Sequence, residues 1–104
     1  LALLRANLDA LDADPARVRV VRADVLEWLD AGSSGADERR PALALADPPY
    51  EGGWAEALVE RYTASPFADT LWVEHRSTLR LDSPRIRRTR RYGGTTLTTL
   101  TPDP

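Results

Sequence analysis

The stretch that constrains this chain most is residues 42–46 (ALALA), which run straight into Asp47-Pro48-Pro49-Tyr50. A short, almost unbroken apolar run suits a strand buried on both faces of a parallel sheet. Two successive prolines must end it, because each ring fixes φ near −65° and removes a backbone N–H. Pro49 also holds Pro48 extended. The chain therefore leaves the strand along a stiff, donor-poor path whose carbonyl oxygens are open to accept hydrogen bonds. In open α/β sheets, ligands sit beyond the carboxyl ends of the strands. Residues 47–50 are thus the first place to look for chemistry.

The segments on either side extend the same pattern. Leu1, Leu4, Leu8 and Leu11 recur at three- and four-residue steps, which predicts an amphipathic helix that Pro15 ends. Residues 17–22 (RVRVVR) alternate and are β-branched, which predicts a strand with Val18 and Val20 on one face. Asp24 is placed to cap a short helix whose apolar side is Val25, Trp28 and Leu29. Residues 31–41 (AGSSGADERRP) read as a surface loop. Beyond the prolines, Trp54, Leu58, Val59 and Tyr62 mark a further amphipathic helix. Leu71, Trp72 and Val73 form a second buried strand, and Trp54 and Trp72 are both expected in the core. Residues 87–92 and 95–100 flank Gly93-Gly94, which predicts a hairpin with both glycines at positive φ. Alternating strands and helices predict an α/β fold: a mostly parallel, Rossmann-like sheet with right-handed crossovers and an antiparallel hairpin at its C-terminal edge.

Composition narrows the function classes. A chain of 104 residues holds one small domain with a thin margin of stability. It has no cysteine, which excludes disulfides and thiolate metal sites. No apolar run approaches the roughly 20 residues that span a bilayer, so no membrane association is expected and a cytoplasmic protein is. No zinc spacing, phosphate-binding Walker loop or Ser/His/Asp arrangement occurs, and no metal is expected. His75, the sole histidine, is expected to be structural or peripheral. Charge is uneven: residues 1–75 hold 7 Arg and 14 acids, and residues 76–104 hold 7 Arg and 2 acids. A basic end on an acidic body suits a polyanionic partner. The run Arg85–Arg91 suits either RNA phosphates or an edge strand guarded by charge, and both readings stay open.

The chemistry that residues 47–50 suit is that of an amino nitrogen on an aromatic base. Its lone pair is delocalised, so it is a poor nucleophile. Hydrogen bonds from the NH₂ to Asp47 and to the Pro48 carbonyl would orient it and stabilise the positive charge that grows as an electrophile arrives. Asp47 would also accept the departing proton, and Tyr50 offers a ring for a base taken out of its stack.

Asp47-Pro48-Pro49-Tyr50 is similar to the Asp/Asn-Pro-Pro-aromatic signature of amino-group methyltransferases. The chain further resembles the RsmD branch, the bacterial enzymes of ribosomal RNA processing that methylate guanine N2 in 16S RNA. The resemblance rests on Asn7-Leu8, Arg22-Ala23-Asp24, Asp47-Pro48-Pro49-Tyr50-Glu51-Gly52-Gly53, Val73-Glu74-His75 and Arg90-Arg91-Tyr92-Gly93. It covers nearly the whole chain.

What the resemblance implies is a class I methyltransferase sheet of order 3-2-1-4-5-7-6, S-adenosyl-L-methionine as cofactor, and 16S rRNA or the small ribosomal particle as partner of a monomeric enzyme. Asp47, Pro48, Pro49 and Tyr50 would be catalytic. Asp24, Val25 and Asp47 would contact the cofactor, Asp24 by accepting from its adenine amino group. The chain departs from the family in lacking the glycine-rich loop and the acidic ribose ligand. Residues 1–104 are therefore expected to be the C-terminal part of the domain, with an incomplete sheet and no activity alone. Two alternatives stand beside this reading: a DNA adenine-N6 or cytosine-N4 methyltransferase, and a noncatalytic α/β domain that binds RNA or a partner.

Overall fold

A computed structural model of the chain describes residues 2–31 and 40–103. In chain order the elements are α1 (Ala2–Ala10), α2 (Val25–Ala31), β1 (Leu43–Ala46), α3 (Trp54–Ala64), β2 (Thr70–Arg76), β3 (Ile86–Tyr92) and β4 (Thr95–Leu100). The four strands form one sheet of order β1-β2-β4-β3. β1 and β2 are parallel, joined through α3, whereas β4 is antiparallel to both β2 and β3. The sheet is therefore mixed, with one parallel and two antiparallel pairs, and not mostly parallel as expected. Its last strand lies between the second and third. That departs from a simple doubly wound order and corresponds to the 4-5-7-6 end of the order anticipated above.

Register explains which residues are buried. Ala44 and Ala46 of β1 line up with Leu71 and Val73 of β2, and these with Leu100 and Thr98 of β4. Those residues share one face of the sheet. Leu71, Val73, Leu100, Ala55, Leu58, Val59 and Tyr62 belong to one core with Leu29 of α2 and Ala68. Each fully buried aliphatic side chain here contributes on the order of 1.5–3 kcal/mol. Tyr62 anchors the core: its hydroxyl donates to the Ala68 carbonyl at 2.7 Å, and its ring meets Phe67 edge-on at 5.1 Å. Arg61 ties α3 to α2 through Asp30 at 2.7 Å and the Leu29 carbonyl at 3.4 Å.

The opposite face differs from expectation. Leu43, Leu45 and Trp72 share it, and Leu45 is 72% and Trp72 38% exposed. β1 is thus partly buried on one face and exposed on the other. Trp54, expected in the core, is 41% exposed at the start of α3. In α2 the core residue is Leu29, while Val25 and Trp28 stay exposed. For Leu43, Leu45 and Trp72 the physical reason is that no described helix covers their side of the sheet, and α1 buries none of its residues. Val25, Trp28 and Trp54 instead line an open cleft.

Residues 17–22 form no strand, and Val18 and Val21 are exposed. β-Branched alternation favours a pleat only where a neighbouring strand completes the hydrogen-bond ladder, and among the described residues none does. Most of the anticipated loop at 31–41 lies outside the described residues. No described helix is long and apolar enough to cross a membrane.

The hairpin forms where expected, but only Gly93 takes positive φ, at 62°. That is the φ pattern of a II′ turn, with glycine needed at the first central position alone.

Gly52 and Gly53 carry the turn into α3, with φ of 90° and 71°. A Cβ on Gly52 would stand 3.1 Å from Trp54 Nε1. Gly52→Ala is therefore expected to destabilise the chain by about 1–2 kcal/mol, read as a lower urea midpoint with an unchanged slope.

Candidate active site

β1 ends at Ala46, opposite Val73, whereas β2 continues to Arg76. Asp47-Pro48-Pro49-Tyr50 thus leaves the sheet alongside the last turn of β2. The Arg76 guanidinium lies over the Tyr50 ring, 4.9 Å from its centroid. Such a cation–π contact contributes about 0.5–1 kcal/mol where exposed, and it fixes the plane of a ring that is itself 45% exposed.

Two cavities meet here. A recess of about 240 Å³ is lined by Pro48, Pro49, Tyr50, Glu56, His75 and Arg76, among others. A larger cleft of about 1180 Å³ is bordered by Asp24, Val25, Trp28, Asp47, Pro48, Pro49 and Trp54, among others. Pro48 and Pro49 border both. The stiff dipeptide is therefore the wall between them, with Tyr50 on the recess side and Asp47 on the cleft side.

The residues singled out in the sequence thus fall into two groups that touch at the prolines. Asp24, Val25 and Asp47 share the cleft, while Tyr50 stands in the recess. Asp24 also caps α2: its Oδ1 accepts from the Glu27 N–H at 3.0 Å, and its carbonyl accepts from Trp28 at 2.8 Å. This holds the carboxylate at the rim of the cleft, with the Val25 backbone beside it. The donor set suits an adenine, which offers an amino group to the acid and ring nitrogens to a backbone N–H. Exposed Trp28 and Trp54 supply apolar walls.

His75 is buried and fully engaged. A carbonyl can only accept, so Nδ1 donates to the Arg76 carbonyl at 3.0 Å. Nε2 pairs with the Thr98 hydroxyl at 2.7 Å, inside the sheet. Its role is to lock β2 to β4 beneath the recess. Arg85 is likewise structural: its Nε donates to the Thr63 carbonyl at 2.9 Å, and it also bonds the Pro102 carbonyl. Arg76 was not singled out in the sequence as a site residue. Its position at the carboxyl end of a strand beside the proline motif was the available signal.

No family model and no curated protein matches this chain. Solved structures do. A Haemophilus influenzae protein provisionally named a methylase superposes with a TM-score of 0.73 at 16% identity, over 99% of this chain and 66% of its own. A hypothetical protein of Thermus thermophilus gives 0.77 at 25% identity, over 96% of this chain and 55% of its own. Escherichia coli yhhF, provisionally named a methyltransferase, gives 0.66 at 20% identity, over 96% and 55%. This chain spans between 55% and 66% of the length of these three proteins. At such identities the shared property is the architecture: an α/β fold common to proteins that carry methylase names.

Proposed function

We propose that this chain belongs to a bacterial S-adenosyl-L-methionine-dependent methyltransferase that acts on the exocyclic N2 amino group of a guanine in 16S ribosomal RNA. The observation that carries this reading is the shared wall of Pro48 and Pro49, with an acid-rimmed cleft on one side and an aromatic recess on the other. A reaction that joins a cofactor's group to a base needs two compartments in contact at one carbonyl-rich edge. Asp24, Val25 and Asp47 would hold the cofactor's adenosyl side in the cleft. S-adenosyl-L-methionine would supply, when bound, an electrophilic methyl group on a sulfonium sulfur; the S–CH₃ bond would break with its electron pair staying on sulfur, and a neutral thioether would leave.

The chain's own residues do the rest. The target base enters the recess and stacks on the Tyr50 face away from Arg76. Its amino group reaches the edge of the proline wall, where it donates one hydrogen bond to the Pro48 carbonyl and another to the Asp47 carboxylate on the cleft side. This turns the nitrogen lone pair out of the ring's conjugation and towards the cleft. As the N–CH₃ bond forms, positive charge grows on the nitrogen and Asp47 stabilises it. The surplus proton then passes to the Asp47 carboxylate. The partner is 16S rRNA or the assembling small subunit, in the cytoplasm, and the enzyme acts as a monomer.

The test is transfer of a labelled methyl group by the native protein to 16S rRNA, small subunits and duplex DNA, followed by digestion to nucleosides. Label in N2-methylguanosine from RNA is expected. Label in DNA amino groups would replace the substrate with adenine or cytosine, and no label in any of the three would overturn the assignment.

A further inference from the structure

The arginine-rich hairpin has no part in the reaction described above, yet the sheet aims it at the site. Arg76 of β2 lies opposite Thr95 of β4, which lies opposite Tyr92 of β3. The three therefore share one face, with Tyr92 about two strand spacings, or ~10 Å, from Arg76. Arg90 follows on that face, about 7 Å further along β3. The hairpin tip is pinned to this end of the sheet. The Ser77 N–H donates to the Gly94 carbonyl at 2.9 Å, and the Ser77 hydroxyl donates to the Gly93 carbonyl at 3.0 Å. Ser77 directly follows Arg76, and Thr78 and Leu79 then line the recess.

The arginines on this face make no ion pair among the described residues, although Glu74 shares the face two residues before Arg76. Among the described residues the ion pairs are Arg40–Asp69 and Arg61–Asp30, and neither involves β3 or Arg76. Glu74 sits on the same line as Arg90, but Leu97 separates them. Tyr92 is exposed, and Arg90 Nη1 reaches its hydroxyl at 3.5 Å. β3 carries arginines on both faces, Arg88 and Arg90 on this one and Arg91 on the other, but cations that only guard an edge strand would need no aromatic neighbours. Here rings and guanidinium groups alternate: Tyr50, Arg76, Tyr92, Arg90. Single-stranded nucleic acid is bound by that combination, with cations following the phosphates and rings accepting bases.

We infer that the line Tyr50–Arg76–Tyr92–Arg90, along the carboxyl edge of the sheet, is a binding track for the unpaired RNA strand that carries the target base. This rests on the nucleic-acid reading above and names the substrate-binding surface of that site. Arg76 has two duties in it: it sets the Tyr50 ring and contacts the phosphate next to the base in the recess. Arg90 holds a more distant phosphate, and Tyr92 stacks a flanking base.

The experiment is fluorescence anisotropy of the native protein with a labelled, unstructured RNA of about 12 nucleotides. Salt is varied between about 50 and 200 mM. The wild-type protein binds, and an RNA duplex of the same sequence competes at least tenfold more weakly. The double variant Arg76→Gln/Arg90→Gln loses about tenfold in affinity, and its salt slope falls by about 1.4, for two single-strand phosphate contacts. Tyr92→Ala loses about tenfold with its salt slope unchanged. The control Arg5→Gln/Arg17→Gln, which removes the same charge from exposed positions elsewhere, changes affinity less than twofold. Equal losses in both double variants, no loss in the first, equal binding of duplex, or no wild-type binding would each overturn the track. Binding is read without methyl transfer, so the track and the proposed reaction fail separately. Track-dependent RNA binding by a protein that methylates nothing would sink only the reaction, and methylation indifferent to these arginines would sink only the track.

Discussion

Methyl transfer by the native protein is expected to fall about 10²–10⁴-fold when Asp47 becomes alanine. Asp47 is exposed at the end of β1 and borders the cleft beside Pro48, so the loss would come from chemistry and not from unfolding. Alanine removes the acceptor that orients the amino group, the charge that steadies the developing cation and the acceptor for its proton. Asn at this position keeps the first of these and removes the other two. Asp47→Asn should therefore fall between the wild type and Asp47→Ala in kcat. Because the orienting bond survives in Asn, its KM for RNA should stay near the wild-type value. The measurement is initial rate of label incorporation at saturating cofactor, with circular dichroism to show that both variants keep the fold.

The largest expected effect on stability comes from Tyr62. It is 0% exposed, sits at the centre of the core under α3, and joins that helix to the loop before β2 through Ala68. Tyr62→Ala would cost about 3–5 kcal/mol. For a domain whose whole margin is roughly 5–15 kcal/mol, that is enough to leave much of the chain unfolded, as urea denaturation followed by circular dichroism would show. Tyr62→Phe keeps the packing but leaves the buried Ala68 carbonyl without its donor, and would cost about 1–3 kcal/mol.

The same residue gives a pH signature. Burial raises the Tyr62 pKa above the ordinary value of 10.0, outweighing the opposing pull of Arg40 and Arg85, and Asp69 adds to the rise. Below pH 10 the hydroxyl is neutral in both folded and unfolded chains, and its contribution is fully present. As pH rises past 10 the unfolded chain ionises first, so stability is lost through the window up to the raised value. Tyr62→Phe should flatten that alkaline decline. A decline of equal steepness in both proteins would show that another group is responsible.

What was legible in the sequence follows from where each signal gets its support. β1, α3, β2 and the hairpin each carry a pattern that a neighbour within the same chain satisfies. The apolar run at 43–46 pairs with 70–73, and Leu58, Val59 and Tyr62 meet the face that Leu71 and Val73 present. Asp24 as a helix cap was readable because a cap needs only the four residues that follow it. Residues 17–22 carry an equally clear strand pattern, but a strand needs a partner, and among the described residues it has none. Trp54 and Trp72 looked like core because of their size. Burial of an aromatic side chain depends on what packs over it: among the described residues no helix covers the sheet face of Trp72, and Trp54 lines an open cleft. Arg76 was invisible for another reason. Its place over Tyr50 depends on β2 outrunning β1 by three residues, a fact of register that local pattern does not encode.

A single measurement bears most directly on positions 47–50: the rate of N2-methylguanosine formation in 16S rRNA by the native protein carrying alanine at both Asp47 and Tyr50. The account predicts a rate below that of Asp47→Ala alone, since the base then loses its ring as well as its acceptor, with the fold intact. A double variant that methylates guanine N2 at the wild-type rate would contradict it.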